Sequence, residues 1–575
     1  MRANISAMQV DPIAIEIIRH GLQAIPEEIE VDLTRTAYSP LIYEYKDFAV
    51  GIVDREGRLI AMPRGGIPIF LANVLEYAVK DGIKYYGYEG LEPGDVVLTN
   101  DPVTLGQHLN NVAMYTPVFS EGESGEILGF MVIIAHWTDV GGRYIGSSAS
   151  NDSTDIFQEG IQLPTLKLRN RGQPAPEIYR LISANTRFPE MTMGDLEAQL
   201  AGCVKGRRLF EGMLAKYGRH QVMKTVETMW QQSEAAATAA VRAIPDGVYT
   251  AESFLDDDGV DIGKRIEIKI TVKVAGDRMT IDFSDIAGQV RGPFNSGIQG
   301  GGITAARIAF KYLTTPNDFT NFGSFAPLDV VLPPGKFLSA GPTAPLARYS
   351  TPLATVVETI LRTLADAVPE RIAAGHHAAF GSHRFHGWNP RTNNLFSHLD
   401  TALGGWGAGC DRDGAGPLKT MTHGDTLDVP VEAQEAMYPL VLEEYSFRQD
   451  SGGVGQFRGG MGLNKTYRVE APCSLAVTFE RYFYPPWGLH GGGSGKPGYV
   501  DIERPGKPIE RVLKVSDLKL QAGDRVRIYT AGGGGYGEPK RRDPASLARD
   551  IAEGYVSPEA AERDYCHEIM PPAAD

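Results

Sequence analysis

The sequence predicts an α+β protein of several domains, with a mixed α/β N-terminal half and a β-rich C-terminal half. Three observations lead there. At 575 residues the chain is too long for one core, so two to four packed units are expected. A helical texture from about Ser183 to Ala243 gives way, after Ile244-Pro245, to the strict alternation of "RIEIKITVKVAGDRMTIDFS". The 66 glycines lie to a large extent in the second half, where short strands and tight turns are their simplest cause. The expected units are 1–243, 244–375 and 376–575.

Taken in order, Asp11-Pro12 is a helix start, a capping acceptor followed by proline at the first helical position. Ile13, Ile17 and Ile18 supply its apolar stripe, and Pro26 should break or restart the helix. "FAVGIVDREGRLIAM" reads as a hairpin turning at Asp54-Arg55-Glu56-Gly57. "GDVVLTNDP", "NNVAMYTPVF" and "LGFMVIIAHW" read as strands, the last apolar enough to be central and buried. "DLEAQLAGCVKGRRLFEGMLAKYG" is a helix closed by Gly218. Past 244 come the two alternating strands, a helical stretch in "TPLATVVETILRTLADAVPE", and from about His376 short strands, ending in "AGGGGYGEP" and a small helical tail.

The totals exclude several classes. A net charge of -15 argues against a nucleic-acid partner, because phosphates need a basic face. The first twenty residues lack a signal-peptide layout, and no apolar run is long enough to span a bilayer. Cys203, Cys410, Cys473 and Cys566 are scattered, as expected of reduced thiols in a cytoplasmic protein. No GKS or GKT follows a glycine loop, "AGGGGYG" lacks a Rossmann layout, and there is no GxSxG elbow. "NSGIQGGGITAARIAF" is a glycine loop entering a helix, where backbone N–H groups could hold an anion.

The residues able to carry chemistry cluster at punctuated strand ends. Asp47 precedes a strand in "YEYKDFAVG". His108 and Asn111 stand three apart in "GQHLNN", as do His136 and Asp139 in "AHWTDVGG". Glu159 follows in "DIFQEGIQLP". Zinc- or manganese-type ions want imidazoles and carboxylates on different strand ends with a position left open. Taken singly, each residue reads as a cap or a solvated turn residue. Two His-x-x-acid/amide steps on successive strands instead suggest convergence on a metal or a substrate. A second group, His376, His377, His383 and His386, reads as structural or substrate-contacting, because on a strand the rings of His383 and His386 point to opposite faces. "DSGGVGQFRGGMG", with Arg448, Asp450 and Arg458, reads as a structural turn network.

An ordered series of motifs resembles one family along nearly the whole chain: "TRTAYSPLIYEYKDFAVGIVD", "GDVVLTNDPVTLGQHLNNV", "AHWTDVGG", "FQEGIQLPTLKL", "DFSDIAGQVRGPFN", "EAMYPLVLEEYSFRQDSGGVGQFRGGMG", "PPWGLHGGGSG" and "AGGGGYGEPKRRDP". The chain resembles the B-type component of the hydantoinase/oxoprolinase group, which includes the alpha-type subunits of acetone and acetophenone carboxylases. The resemblance implies an ATP-dependent hetero-oligomer. An A-type partner binds ATP and magnesium and phosphorylates a carbonyl oxygen of a small cyclic amide or ketone. The B-type chain holds a divalent metal, zinc or manganese, and completes hydrolysis or carboxylation.

Carried over residue by residue, the family's metal set falls on Asp47, His108, Asn111 and His136, and the catalytic carboxylates expected are Asp47, Asp139 and Glu159. Asn111 departs from the family's usual aspartate, and Phe70 stands where many relatives have histidine. The shorter chain tilts the expectation towards amide hydrolysis, with part of a ketone carboxylase or a non-catalytic scaffold as alternatives.

Overall fold

The computed structural model describes residues 12–71, 73–120 and 125–565. The Asp11 cap expected from sequence lies outside the described residues. The first helix, Pro12–Thr36, runs unbroken through Pro26. An interior proline costs about 3 kcal/mol, but Ile18, Leu22, Ile25, Ile29 and Leu33 of the same helix are all buried. Each such side chain contributes about 1.5–3 kcal/mol on burial, so tertiary packing overrides the local break.

The N-terminal sheet has seven strands: β1 (Phe48–Asp54), β2 (Leu59–Ala61), β3 (Val96–Thr99), β4 (Asn111–Phe119), β5 (Ile127–His136), β6 (Leu166–Asn170) and β7 (Gln173–Pro174). Their order is β2-β1-β5-β4-β3-β6-β7, antiparallel throughout. β5 lies inside the sheet with all ten residues buried, as its apolar run predicts. Helix Pro189–Tyr217 lies on one face, close enough that a Cβ at Gly206 would sit 2.6 Å from Met131 Sδ. Helix Val74–Tyr86 covers the other, with Gly82 against the ring of Tyr115.

A second sheet of four strands, β8 (Gly247–Leu255), β9 (Ile266–Ala275), β10 (Arg278–Asp282) and β11 (Leu328–Val331), follows the helical segment in the order β11-β10-β9-β8. Helices Gly302–Thr314 and Thr351–Thr363 pack with it. One apolar cluster runs from Ile18 to Ile372, so the segments before and after 244 share a core.

A separate cluster, from Phe385 to Ile528, fills the C-terminal part. There β12 (Ser382–Asn389) pairs with both β13 (Asn394–Thr401) and a strand at Cys473–Thr478. The glycine-rich segments cross one another backbone to backbone: Gly533 N donates to Gly460 O at 2.9 Å and Gly534 N to Gly375 O at 2.8 Å. A Cβ at Gly533 would lie 1.9 Å from Trp406 O, so close approach is what these glycines supply. Arg458 and Arg542 both pair with Asp550 of the tail helix Pro544–Ala552, so that motif is a structural tie. Among the described residues no helix is long and apolar enough to cross a membrane.

Candidate functional site

The register of the central strands builds the site. Asn111 of β4 pairs directly with His136 of β5, and His136 N donates at 3.0 Å to the carbonyl of Asp47, the residue preceding β1. Asp47, His136 and Asn111 therefore stand abreast at one end of three adjacent strands. Lys46, with φ 64, makes the turn that delivers Asp47 to this edge. His108 comes from the loop before β4, its ring centroid 4.9 Å from that of His136 at 84°.

The loop carrying His108 is fixed by glycines. Gly297 N donates to Gly106 O at 3.0 Å, and a Cβ at Gly106, φ +68, would sit 2.7 Å from Gly300 N. The glycine loop read from sequence as a possible anion cradle thus serves as a backbone-to-backbone seat for the histidine loop.

Asp47, His108 and His136 line one buried cavity together with Tyr45 and Phe70. Ser148, the run Arg348 to Thr351, Phe380, Ser382 and His423 also line it. It encloses about 30 Å³ within a recess of about 460 Å³ that includes its mouth. Arg384 stands directly behind Ser148, with its Nη2 3.5 Å from the Ser148 hydroxyl. A larger cleft of about 630 Å³ is lined by neighbouring residues of two of these segments: Pro68 and Gly424-Asp425 line it, while Ile69-Phe70 and His423 line the cavity.

Burial sets the charges. It raises Asp47 to about 7, against the opposing pull of the Arg384 guanidinium. It lowers His108 to about 4 and takes His136 well below its ordinary value, so both imidazoles are neutral near pH 7. Arg348 and Arg384 are lowered to about 9 and about 10, chiefly by burial, and remain cationic. Asn111 is buried behind His108: its Oδ1 faces His108 Nε2 at 2.9 Å, and its Nδ2 donates to Gln107 Oε1 at 2.9 Å and Tyr349 Oη at 3.0 Å. His136 Nδ1 is buried without a hydrogen-bond partner.

As they stand, these residues do not fit a divalent cation. Asn111 contributes no charge, and its amide is already engaged on both sides. Asp47 is the one carboxylate on the wall, and the Arg384 guanidinium already acts on it. Among the described residues no three His, Cys, Asp or Glu side chains are grouped to hold a metal ion.

Two carboxylates singled out from sequence lie off the cavity wall, fully engaged. Asp139 accepts from Gly141 N (3.1 Å), Gly146 N (2.8 Å), Arg187 N (3.0 Å) and Arg187 Nη1 (2.8 Å), and so closes the loop after β5. Glu159 accepts from Ser153 Oγ at 2.6 Å and from Leu346 N at 3.0 Å, fastening the segment that carries Arg348 and Tyr349. Burial raises Glu159 to about 7. Of the histidine cluster, His376 Nδ1 lies 2.7 Å from Glu358 and His386 lies 3.6 Å from Asp517, while one ring nitrogen of each of His376, His377, His383 and His386 is buried without a hydrogen-bond partner.

Residues that sequence reasoning missed are Arg348, Tyr349, Thr351, Ser382, Arg384 and His423. The one local signal was "ARYSTP", a cationic and hydroxyl run at a proline-marked helix start.

Comparison with known proteins agrees with this architecture. The chain is 30% identical over 575 residues to the beta subunit of the caprolactamase of Pseudomonas jessenii, covering 97% of this chain and 96% of that one. It is 28% identical to the B component of a putative D-/L-hydantoinase of a Pseudomonas species, over 97% and 95%. The crystal structure of the ATP-dependent caprolactamase superposes with a TM-score of 0.90 over 98% of both chains at 28% identity. A nucleotide-free acetone carboxylase structure shares the fold, with a TM-score of 0.88 at 18% identity over 98% of this chain and 80% of that one. The family model described as hydantoinase B/oxoprolinase matches residues 11–539, and the chain belongs to that family.

Proposed function

We propose that this chain is the B-type component of an ATP-dependent cyclic amide hydrolase, completing the opening of a ring whose carbonyl oxygen has been phosphorylated by an A-type, ATP- and magnesium-binding partner. The observation that carries the reading is the meeting of Asp47, His108 and His136 in one buried cavity, in a family whose relatives include components of a caprolactamase and a hydantoinase.

Phosphorylation makes the ring carbon electrophilic enough for water. In this reading His136 Nδ1, which has no protein partner, holds that water, and Asp47, raised to about 7, takes its proton. A base with that value is matched to neutral pH. The carbon–nitrogen bond then breaks, with a proton delivered to the departing amine. The acyl phosphate left behind loses phosphate to a second water. His108, held by Asn111, packs against His136 and fixes its ring. Asp139 and Glu159 act as fasteners of the two loops that shape the wall.

The test is phosphate release by this chain co-purified with its ATP-binding partner, over cyclic amides and ketones, with and without bicarbonate. Cyclic-amide-dependent release with ring-opened product supports the reading; a requirement for ketone and bicarbonate together replaces it with a carboxylase. His136→Ala should lower ring opening by about 10²–10⁴-fold, the usual span for losing a positioned proton-transfer partner. A variant that folds and turns over at the wild-type rate removes His136 from the mechanism.

A further inference from the structure

We propose that the cleft of about 630 Å³ next to the cavity is a second ligand site, and that it takes a zwitterion with an apolar body: the amino acid released when a lactam ring is opened. The proposal deepens the cyclic amide reading above by naming the ring. It rests on that reading for the source of the molecule, but not for the chemistry of the cleft.

The cleft falls in the size range of small-molecule sites, about 300–1,000 Å³. Helix Gly302–Thr314 contributes Ile308 and Lys311, three positions apart and so on one face. Met62, Pro68, Phe319 and Phe325 make much of the remaining lining apolar. An apolar body of several carbons therefore has a surface to lie on.

The charges on this lining are of both signs and are not used on one another. Arg64, Lys311, Asp318 and Asp425 form no ion pair among the described residues, while Arg307 reaches Glu76 at 3.5 Å. Lys311 is the sheltered one. Its Nζ donates to Thr315 Oγ1 at 2.9 Å, a neutral acceptor. Burial lowers it to about 8, against the pull of Asp318, so it is largely protonated at pH 7. An ammonium has three N–H donors, which leaves two for a carboxylate.

Asp318 and Asp425 are exposed at the same cleft. The Asp425 carboxylate accepts only from Gly66 N, at 3.3 Å. A plain anion would gain Lys311 but meet both carboxylates, and a plain cation would meet the reverse. A molecule with a carboxylate for Lys311 and an ammonium for the two acids uses both sets.

That pattern separates product from substrate. Water added across the amide of a lactam breaks one carbon–nitrogen bond and turns a neutral ring into a chain carrying a carboxylate and an ammonium. A hydantoin opened in the same way gives a carbamoyl acid with no ammonium. The pair of charges thus selects the lactam product.

A second observation, independent of charge, ties the cleft to the cavity. Ile69 N donates to Thr422 O at 3.2 Å, and a Cβ at Gly424, φ +48, would lie 2.8 Å from Gly66 O. The two segments are packed backbone to backbone. Along each of them, neighbouring residues divide between the two spaces: Pro68 and Gly424 line the cleft, Ile69 and His423 the cavity.

The experiment titrates 6-aminohexanoate, hexanoate, hexylamine and the cyclic amide of the first into the full chain by calorimetry, alone and in complex with its partner, without ATP. Expected is one 6-aminohexanoate per chain, bound at least about tenfold more tightly than the other three, as the loss of a charge-assisted hydrogen bond implies. Lys311→Met should weaken it by at least about tenfold and Asp425→Asn by several-fold. Lys311→Met keeps the length of the side chain and Asp425→Asn its shape, so both test the site in a folded chain, as thermal melts would verify. Absence of 6-aminohexanoate binding, equal binding of hexanoate, or binding untouched in both variants would each overturn the proposal. So would binding that responds to His136→Ala and not to Lys311→Met, which places the molecule in the cavity. Selective binding in a complex that opens no ring would support the site and count against the functional reading alone.

Discussion

Replacing Asp47 by asparagine should make the protein more stable and less active, and the two effects should share one pH dependence. Asp47 is buried, and burial raises its carboxyl from an ordinary 3.8 to about 7. Between those values the unfolded chain has ionised this group while the folded protein still holds the proton. Stability therefore falls as pH rises from about 4 to about 7 and is flat above. The whole shift corresponds to about 4 kcal/mol, an upper bound because a buried carboxylate relaxes and draws in water. Asp47→Asn keeps the shape and removes the ionisation, so its stability advantage should grow by about 1 kcal/mol between pH 6 and pH 8, the part of the titration lying above pH 6. Urea unfolding at the two pH values measures this. Activity should move the other way: wild-type ring opening rises with pH through about 7 as Asp47 loses its proton, and Asp47→Asn loses about 10²–10⁴-fold together with that limb. An advantage identical at pH 6 and pH 8, or a variant keeping the wild-type rate and pH profile, would refute the reasoning.

Two further outcomes follow from the scaffold. Asp139→Ala strands Arg187 and two N–H groups of the loop after β5; with the arginine partly exposed it should cost about 2–4 kcal/mol in urea unfolding, and a loss under about 1 kcal/mol, the worth of a single exposed pair, would show the loop is held otherwise. Gly106→Ala forces a left-handed backbone and drives a Cβ to 2.7 Å from Gly300 N; it should cost about 2–3 kcal/mol and lower ring opening while ATP binding by the A-type chain stays unchanged, and unaltered turnover would separate that seat from His108.

Much of the frame was legible in the residues because its causes are local. Period-two alternation marked β9 and β10, and an unbroken apolar run marked β5 as a strand covered on both faces. The histidines and acids beside turns were identified for the same reason: strand ends are written in nearby glycine, proline and polar residues. Pro26 shows the limit, since a local break yields when enough of the same helix is buried.

The site is another matter. A carboxylate beside a turn has the same sequence signature whether it faces a cavity or closes a loop. Asp47 is on the wall, whereas Asp139 and Glu159 are not, because Arg187 and Leu346 arrive from 48 and 187 residues away to use their oxygens. Arg348 reaches the histidines only through the packed core: the carbonyl of its neighbour Ala347 lies 3.3 Å from His108 Nδ1, across 239 positions. What the sequence determined by itself was the set of elements and the residues at their ends, because propensity and periodicity act over a few positions. Only the tertiary structure decided which of those residues share a cavity and what charge it carries, because burial and counter-charges come from segments far apart in the chain.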